Sequence, residues 1–269
     1  MLDNRPGLIV ESVDARYARQ VVLPGIGAAG QRAIRSARVL VVGAGGLGSP
    51  AITYLAMAGV GTLGIADPDR VDPTNLNRQF LHFSDDVGRP KTESASEKVF
   101  RINPDVRVVQ IANRLDRHTV GAIIRDYDII IDATDTPTAR FLISDAGYEL
   151  GLPLIECGVS GYEGLLMIIT PGRTPCYRCL FPDEPPASAV TSGAESGILG
   201  MVAGIFGTLQ ALEAIKLILK IGEPETGHVL TFDALTSTFR RIPWGRRPDC
   251  PLCGAKHSPS GPAKGADSP

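Results

Sequence analysis

Several things are scarce or missing in this 269-residue chain, and each shortage removes a class of function. Charge of one sign is not in excess. Lys and Arg number 27 against 29 Asp and Glu, a net of −2 that points to neither nucleic acid nor an acidic membrane surface as partner. No basic N-terminus leads into an apolar core and a small-residue cleavage site, so no export signal is read. The most apolar run, Ile198 to Leu209, is too short to span a bilayer. Gln210, Glu213 and Lys216 follow it, and the stretch reads as a buried helix. No Gly-Lys-Ser/Thr follows the glycine-rich turn, which excludes a P-loop. The four histidines (His82, His118, His228 and His257) fall in no catalytic spacing and are read as structural or solvated. Cysteine is limited to five residues, four of them in CxxC pairs. Without an export signal these point to metal rather than disulfides, and to the cytoplasm.

What is present is an ordinary globular composition, 43% hydrophobic and 21% charged, long enough to bury a sizeable core. Residues 1–13 carry little pattern and are expected to be flexible. Residues 255–269, rich in Ser, Pro, Gly and Lys, are expected to be disordered. Between them, short β-branched runs alternate with helical patterns, predicting a parallel sheet with helices on both faces. Strands are expected over Arg38–Val42, Thr62–Ala66, Val106–Val109, Tyr127–Asp132 and Leu154–Cys157. Helices are expected over about Leu47–Met57, from Lys91 after Pro90, and over Pro137–Leu150 with Gly151 as stop. Beyond Gly158 the pattern changes: Leu165–Thr170, His228–Asp233 and Thr236–Ile242 read as antiparallel strands, with a helix over Gly197–Leu219 between them. The expected fold is thus α/β, a Rossmann-like, mostly parallel sheet continued by an antiparallel C-terminal half. A nucleotide-binding half spans about 14–157, and a second half, 158–254, could hold something extended.

In GAGGLGS, Gly43, Gly45 and Gly48 have the GxGxxG spacing between a strand and a helix. Gly43 permits the tight turn, Gly45 lets backbone approach phosphate, and Gly48 lets helix and strand pack closely. The helix N-terminus then offers unpaired N–H groups to an anion. Asp67 ends the next strand, where a carboxylate can accept from ribose hydroxyls. The string from Asp67 to Lys91, DPDRVDPTNLNRQFLHFSDDVGRPK, adds Asn75, Arg78 and Lys91, a set suited to polyphosphate. Asp132 and Asp135 close the fourth strand at the same rim. Asp132 is read as a cap, and Asp135 as a Mg²⁺-holding carboxylate.

The order RYARQ, GAGGLGS, D-P-D, NLNRQ, GRPK, DATDT, PCYRC and CPLC resembles the MoeB/ThiF/HesA family of adenylyltransferases, relatives of ubiquitin-activating enzymes, over about residues 14–254. The resemblance implies a single adenylation domain. It implies that Asp67 and Asp69 serve the ribose and Mg²⁺ region, that Asn75, Arg78 and Lys91 bind phosphate, and that Asp135 holds Mg²⁺. Gly46 and Gln79 fall within the same ATP-binding stretches. Arg19, in RYARQ, resembles the arginine that reaches into the partner subunit's ATP site, which implies a homodimer. The implied partner is a small ubiquitin-like sulfur carrier protein with a C-terminal Gly-Gly, activated by ATP as an acyl-adenylate.

Cys176, Cys179, Cys250 and Cys253 form two CxxC knuckles read as a structural Zn²⁺ site of four thiolates. A redox pair is disfavoured because two pairs occur and neither is expected to open a thioredoxin-like helix. Cys157 is read as an inert core thiol. Many relatives place a cysteine in the loop where this chain has Gly193 beside Ser192, and no C-terminal rhodanese-like extension is present. The chain is therefore expected to stop at the adenylate. The competing readings are adenylation of a different peptide C-terminus, a non-catalytic scaffold, and an NAD-dependent dehydrogenase that uses the glycine turn and Asp67 but leaves the cations idle.

Overall fold

Each run of apolar, β-branched residues becomes a strand of one eight-stranded sheet, ordered β3-β2-β1-β4-β5-β6-β7-β8. The structure, a computed structural model, describes residues 15–186, 188, 197–224 and 227–254. The expected flexible N-terminus, the tail and the Ser192–Gly193 position lie outside the described residues.

β1 (Arg38–Val42) pairs in parallel with β2 (Thr62–Ala66) on one side and β4 (Ile129–Asp132) on the other. β3 (Arg107–Ile111) flanks β2, and β5 (Leu154–Ser160) flanks β4, both parallel. From β5 the sheet turns antiparallel through β6 (Glu163–Ile169), β7 (His228–Asp233) and β8 (Thr238–Pro243). The strand order reverses direction between β1 and β4. Such a switch point leaves a crevice at the carboxyl ends of the two strands.

Side chains alternate across the sheet, so β1 feeds two cores. Val39 and Val41 join Ile34, Ile52, Leu55, Val99 and Phe206 on one face. Leu40 and Val42 join Ile124, Phe141 and Ile143 on the other. The first face is covered by α2 (Gly27–Ser36), α3 (Gly48–Ala58), α4 (Lys91–Ile102) and α8 (Gly200–Leu219). The second is covered by α5 (Val120–Ile124) and α6 (Pro137–Glu149). Helix α8 is long and apolar enough to cross a membrane by length and composition. Here it packs on α3, β5 and β6.

The expected boundaries shift where pairing outweighs local pattern. β3 begins and ends later than expected, in register with all of β2, and β5 runs three residues past Cys157 because β6 pairs it to Ser160. The N-terminal helices α1 (Ala18–Val21) and α2 carry no motif that was read as structure. Their anchors are long-range. Tyr17 is buried, its hydroxyl accepts from Asn103 Nδ2 at 2.7 Å, and Gln20 and Gln31 both donate to the Ala58 carbonyl.

Helix α8 meets α3 through Gly207, where a Cβ would stand 2.1 Å from the Leu47 carbonyl oxygen and 2.4 Å from the Pro50 ring. Backbone cannot give way as a side chain does. Gly207→Ala is expected to lower stability by about 1–3 kcal/mol in urea denaturation; a midpoint equal to wild type refutes this account of the α3–α8 contact.

Candidate active site

The glycine turn exists because three backbone segments come together with no side chain between them. Gly43 adopts φ +99°, and a Cβ there would stand 2.6 Å from the Ala133 carbonyl after β4. A Cβ on Gly48 would stand 1.9 Å from the Gly43 carbonyl, the close helix–strand approach expected of the third glycine. Ser49 N–H donates to the Gly45 carbonyl, which starts α3. The crevice beyond the turn is a cleft of about 560 Å³. Gly43, Gly45, Gly46, Asp67, Asp69, Arg78, Gln79, Lys91 and Asp135 all line it. Gly48 and Asn75 do not.

Asp67 is buried, and its two oxygens accept from Ala44 N–H (2.7 Å) and Asp69 N–H (2.8 Å). Burial raises its pKa above the usual carboxylate value, against the pull of Lys91 and those two N–H groups. Lys91 is buried at the start of α4, with Nζ 3.2 Å from Asp69 Oδ2 and its N–H on the Asp69 carbonyl. A cation is thereby pinned at the cleft wall. Asn75 sits in a short 3-10 turn (Pro73–Asn75), where its side chain accepts from Asp72 N–H at 3.3 Å. Its carbonyl accepts from Arg78 and Gln79 N–H, so it builds the turn that presents those two residues. The Arg78 stem lies between Gly46 and Gly200, where added Cβ atoms would come within 3.5 and 3.1 Å of it. The Gln79 side-chain amide lies against Gly45. Asp135 is exposed at the rim. Arg19 is exposed and does not line its own chain's cleft.

Below the rim lies a charged cluster that sequence reasoning missed. Glu156 of β5 is fully buried in register with Asp132 of β4, and Arg140 of α6 places Nη1 3.2 Å from Glu156 Oε1. Two carboxylates face one guanidinium. Burial and Asp132 push the Glu156 carboxyl well above its usual range, only partly offset by Arg140. Burial opposes the charge on Arg140, but Glu156 and Asp132 more than offset it and raise its pKa. Arg140 Nη2 donates to the Thr134 carbonyl at 2.9 Å, and Asp132 Oδ1 accepts from Thr134 N–H and Oγ1, the capping role expected of it. The segment carrying Asp135 is thus tied down at the residue before it. Gly158 leaves room for Arg140, since a Cβ would stand 2.6 Å from Nη1. The available signal was a lone Glu inside the apolar run LIECGV.

The four paired cysteines converge, their sulfurs all within 4.8 Å of one another. Sγ separations of 3.9 Å (Cys176–Cys179), 3.4 Å (Cys176–Cys250) and 3.2 Å (Cys179–Cys253) are far beyond a disulfide. They approach the roughly 3.8 Å edge of a tetrahedron with about 2.3 Å metal–sulfur bonds. Backbone N–H groups of Arg247 and Cys253 donate to the Cys179 and Cys250 sulfurs. The donor set fits a tetrahedral thiophilic ion. The first knuckle opens α7 (Tyr177–Leu180), which at four residues is not a thioredoxin-like helix. Arg178 grips Asp145 of α6 bidentately at 2.7 Å and anchors the knuckle. Cys157 is wholly buried and stands apart from the cluster.

A doubly wound sheet with glycine turn, cations and acids gathered at its switch point defines a nucleotide-binding α/β protein. Residues 17–252 match the ThiF family, and the chain belongs to that family. It is 43% identical over 244 residues to the sulfur carrier protein adenylyltransferase of Thermus thermophilus, covering 89% of this chain and 90% of that protein. It is 44% identical over 239 residues to the SAMP-activating enzyme E1 of Haloferax volcanii, covering 89% and 88%. The adenylyltransferase and sulfurtransferase MOCS3 of Sus scrofa is 44% identical over 242 residues, but this chain spans only 53% of its length. Among solved structures, Escherichia coli MccB with ATP superposes with a TM-score of 0.78 at 26% identity, covering 89% of this chain and 75% of that one. The dehydrogenase reading gains no support from these relatives.

Removing the cation from the buried cluster leaves two acids unpaired, so Arg140→Met should cost about 3–5 kcal/mol in urea denaturation. Glu156→Gln should cost far less, because burial already disfavours the ionised carboxyl and glutamine keeps its shape. A carboxyl pKa raised on folding also means that wild-type stability falls as pH rises above the unfolded glutamate value of about 4.3. The Glu156→Gln variant should lose that part of the slope; identical pH profiles for variant and wild type contradict the assignment.

Proposed function

We propose that this protein uses ATP to activate the C-terminal carboxylate of a small ubiquitin-like sulfur carrier protein as an acyl-adenylate, releasing pyrophosphate. The observation that carries this reading is the convergence of Gly43, Gly45, Arg78, Lys91 and Asp135 on one cleft at the switch point. The Thermus thermophilus relative, a sulfur carrier protein adenylyltransferase matched over nine-tenths of its length, supports the choice of substrate.

A terminal carboxylate, with a reference pKa of about 3.3–3.7, is already ionised at pH 7 and needs no general base. One of its oxygens attacks the α-phosphorus, a new acyl–phosphate bond forms, and the bond to the β-phosphate oxygen breaks. The barrier is an anion approaching a polyanion. Arg78 forks onto phosphate oxygens, while Lys91, held by Asp69, supplies a fixed point charge near the departing pyrophosphate. The Gly43–Gly48 turn and the N-terminus of α3 offer backbone N–H groups. Asp135 would hold Mg²⁺, with Asp69 nearby, and that ion would supply charge neutralisation across the phosphates.

Cys176, Cys179, Cys250 and Cys253 are assigned to a structural Zn²⁺ that ties residues near 250 to the loop after β6. The ATP-binding half is about 14–157 and the carrier-binding half about 158–254, with the Gly-Gly tail entering beside Val159, Ser160 and Ile198 at the far end of the cleft. The working compartment is the cytoplasm.

A homodimer completes the reading. An exposed apolar groove formed by Pro50 and Tyr54 of α3, Phe80, and Met201 and Ile205 of α8 offers a surface for a second copy. Arg19, idle in its own subunit, would then serve the partner's cleft. Ile205→Glu is expected to shift the protein toward monomer in sedimentation equilibrium; an unchanged mass excludes this face.

The catalytic reading is tested by ATP–pyrophosphate exchange in the presence of a Gly-Gly carrier. Asp135→Ala and Arg78→Ala should each lower the rate by about 10²–10³ with zinc content retained. Full activity in both variants refutes the assignment.

A further inference from the structure

Ala44, second residue of the glycine turn, is gripped at both ends by buried side chains. Its N–H donates to Asp67 Oδ2 at 2.7 Å, and its carbonyl accepts from His82 Nε2 at 2.9 Å. Ala44 has no solvent exposure, and His82 is 3% exposed. A carbonyl oxygen can only accept, so Nε2 carries the ring proton. The other ring nitrogen, Nδ1, lies 2.8 Å from Ser94 Oγ of α4. In the neutral ring it accepts the Ser94 hydroxyl proton, and the same hydroxyl oxygen accepts from Lys98 Nζ at 3.5 Å. Burial holds the His82 pKa below its ordinary value, against the bond to the Ala44 carbonyl, with Lys91 acting in the same direction as burial and Asp86 and Asp67 opposing it. Lys98 and Ser94 both also bond to the Asp86 carboxylate, so the link that geometry fixes is the Nε2–H of His82 donated to the Ala44 carbonyl.

The peptide joining Ala44 to Gly45 is trans, so its C=O and N–H point in opposite directions. With the carbonyl drawn inward to His82, the Gly45 N–H points the opposite way, and Gly45 itself lines the cleft. We propose that His82 is a positioning residue for the nucleotide: by holding the Ala44 carbonyl away from the cleft, it fixes the Gly45 N–H as a phosphate donor. The need for such a lock follows from the glycine itself. Gly45 carries no Cβ, which lets backbone approach phosphate but also lets the peptide before it rotate. A rotated peptide would set a carbonyl oxygen where a polyanion must sit. Neither the motif nor the cleft lining reveals this role, because His82 is not among the residues that line the cleft.

The inference rests on the nucleotide-binding reading, and its test separates the two. Calorimetric titration with a non-hydrolysable ATP analogue and Mg²⁺ compares wild type with His82→Gln, His82→Asn and His82→Leu. Glutamine can place an amide N–H near the Nε2 position; asparagine reaches only the Nδ1 position. His82→Gln should bind within about threefold of wild type. His82→Asn and His82→Leu should bind at least about tenfold more weakly, the worth of one charge-assisted hydrogen bond. In the exchange assay the loss should appear in KM for ATP, with kcat and carrier KM little changed. Equal weakening in all three variants, or none in His82→Asn, overturns the proposal. A wild-type protein that binds no analogue overturns the nucleotide reading as well. Nitrogen-15 spectra of histidine-labelled wild type require no variant to fold: the Nε2–H tautomer is expected for His82, and the Nδ1–H tautomer overturns the proposal.

Discussion

Close backbone contact at the switch point is the constraint on which the cleft depends. Gly43 lies against the Ala133 carbonyl and Gly48 over the Gly43 carbonyl, at distances no side chain permits. This contact brings the ends of β1 and β4 and the start of α3 into one place. Remove it and Asp67, Asp135 and the amides of the turn separate, because each is held by a different element. The adjoining polar groups reinforce the contact rather than create it. Asp67 secures the turn from β2, Gln210 of α8 donates to the carbonyls of Asp132 and Ile155, and Arg140 secures the loop from below.

The cleft also separates side chains that open onto it from those that hold its wall still. Arg78 and Asp135 are at least partly exposed at its wall, whereas Asp67 and His82 are buried and hydrogen-bonded to the protein, and Glu156 is buried against Arg140. Arg78 itself donates to the Thr74 carbonyl and to Asn77 Oδ1, which orders its guanidinium. Order of this kind lowers the reorganisation required when charge moves in the reaction.

The parallel half was legible in the sequence because its signals are local. Apolar runs bounded by glycine or proline marked β1 and β2 to the residue, and Pro90 and Gly151 marked helix ends. Most of the candidate site was legible too, since the motif residues reach the same cleft. What escaped depends on partners distant in the chain. The N-terminal helices are secured by Asn103 and Ala58, and the Arg140–Glu156 pair forms only when α6 lies over β5. Asn75 sits in a motif yet serves a turn, a distinction that spacing alone does not carry. His82, set aside among scattered histidines, gains its meaning only from the peptide above it.

Strand β5 belongs to both halves of the sheet at once. It is parallel to β4 through Glu156, and antiparallel to β6 as far as Ser160. Within β5 no linker intervenes between the parallel and the antiparallel half of the sheet. The five residues from Glu156 to Ser160 span about 13 Å at the rise of an extended strand. One uninterrupted strand thus carries both halves of the sheet, and its outer end, Val159 and Ser160, reaches the cleft wall at a distance from the buried Glu156 that the backbone itself sets.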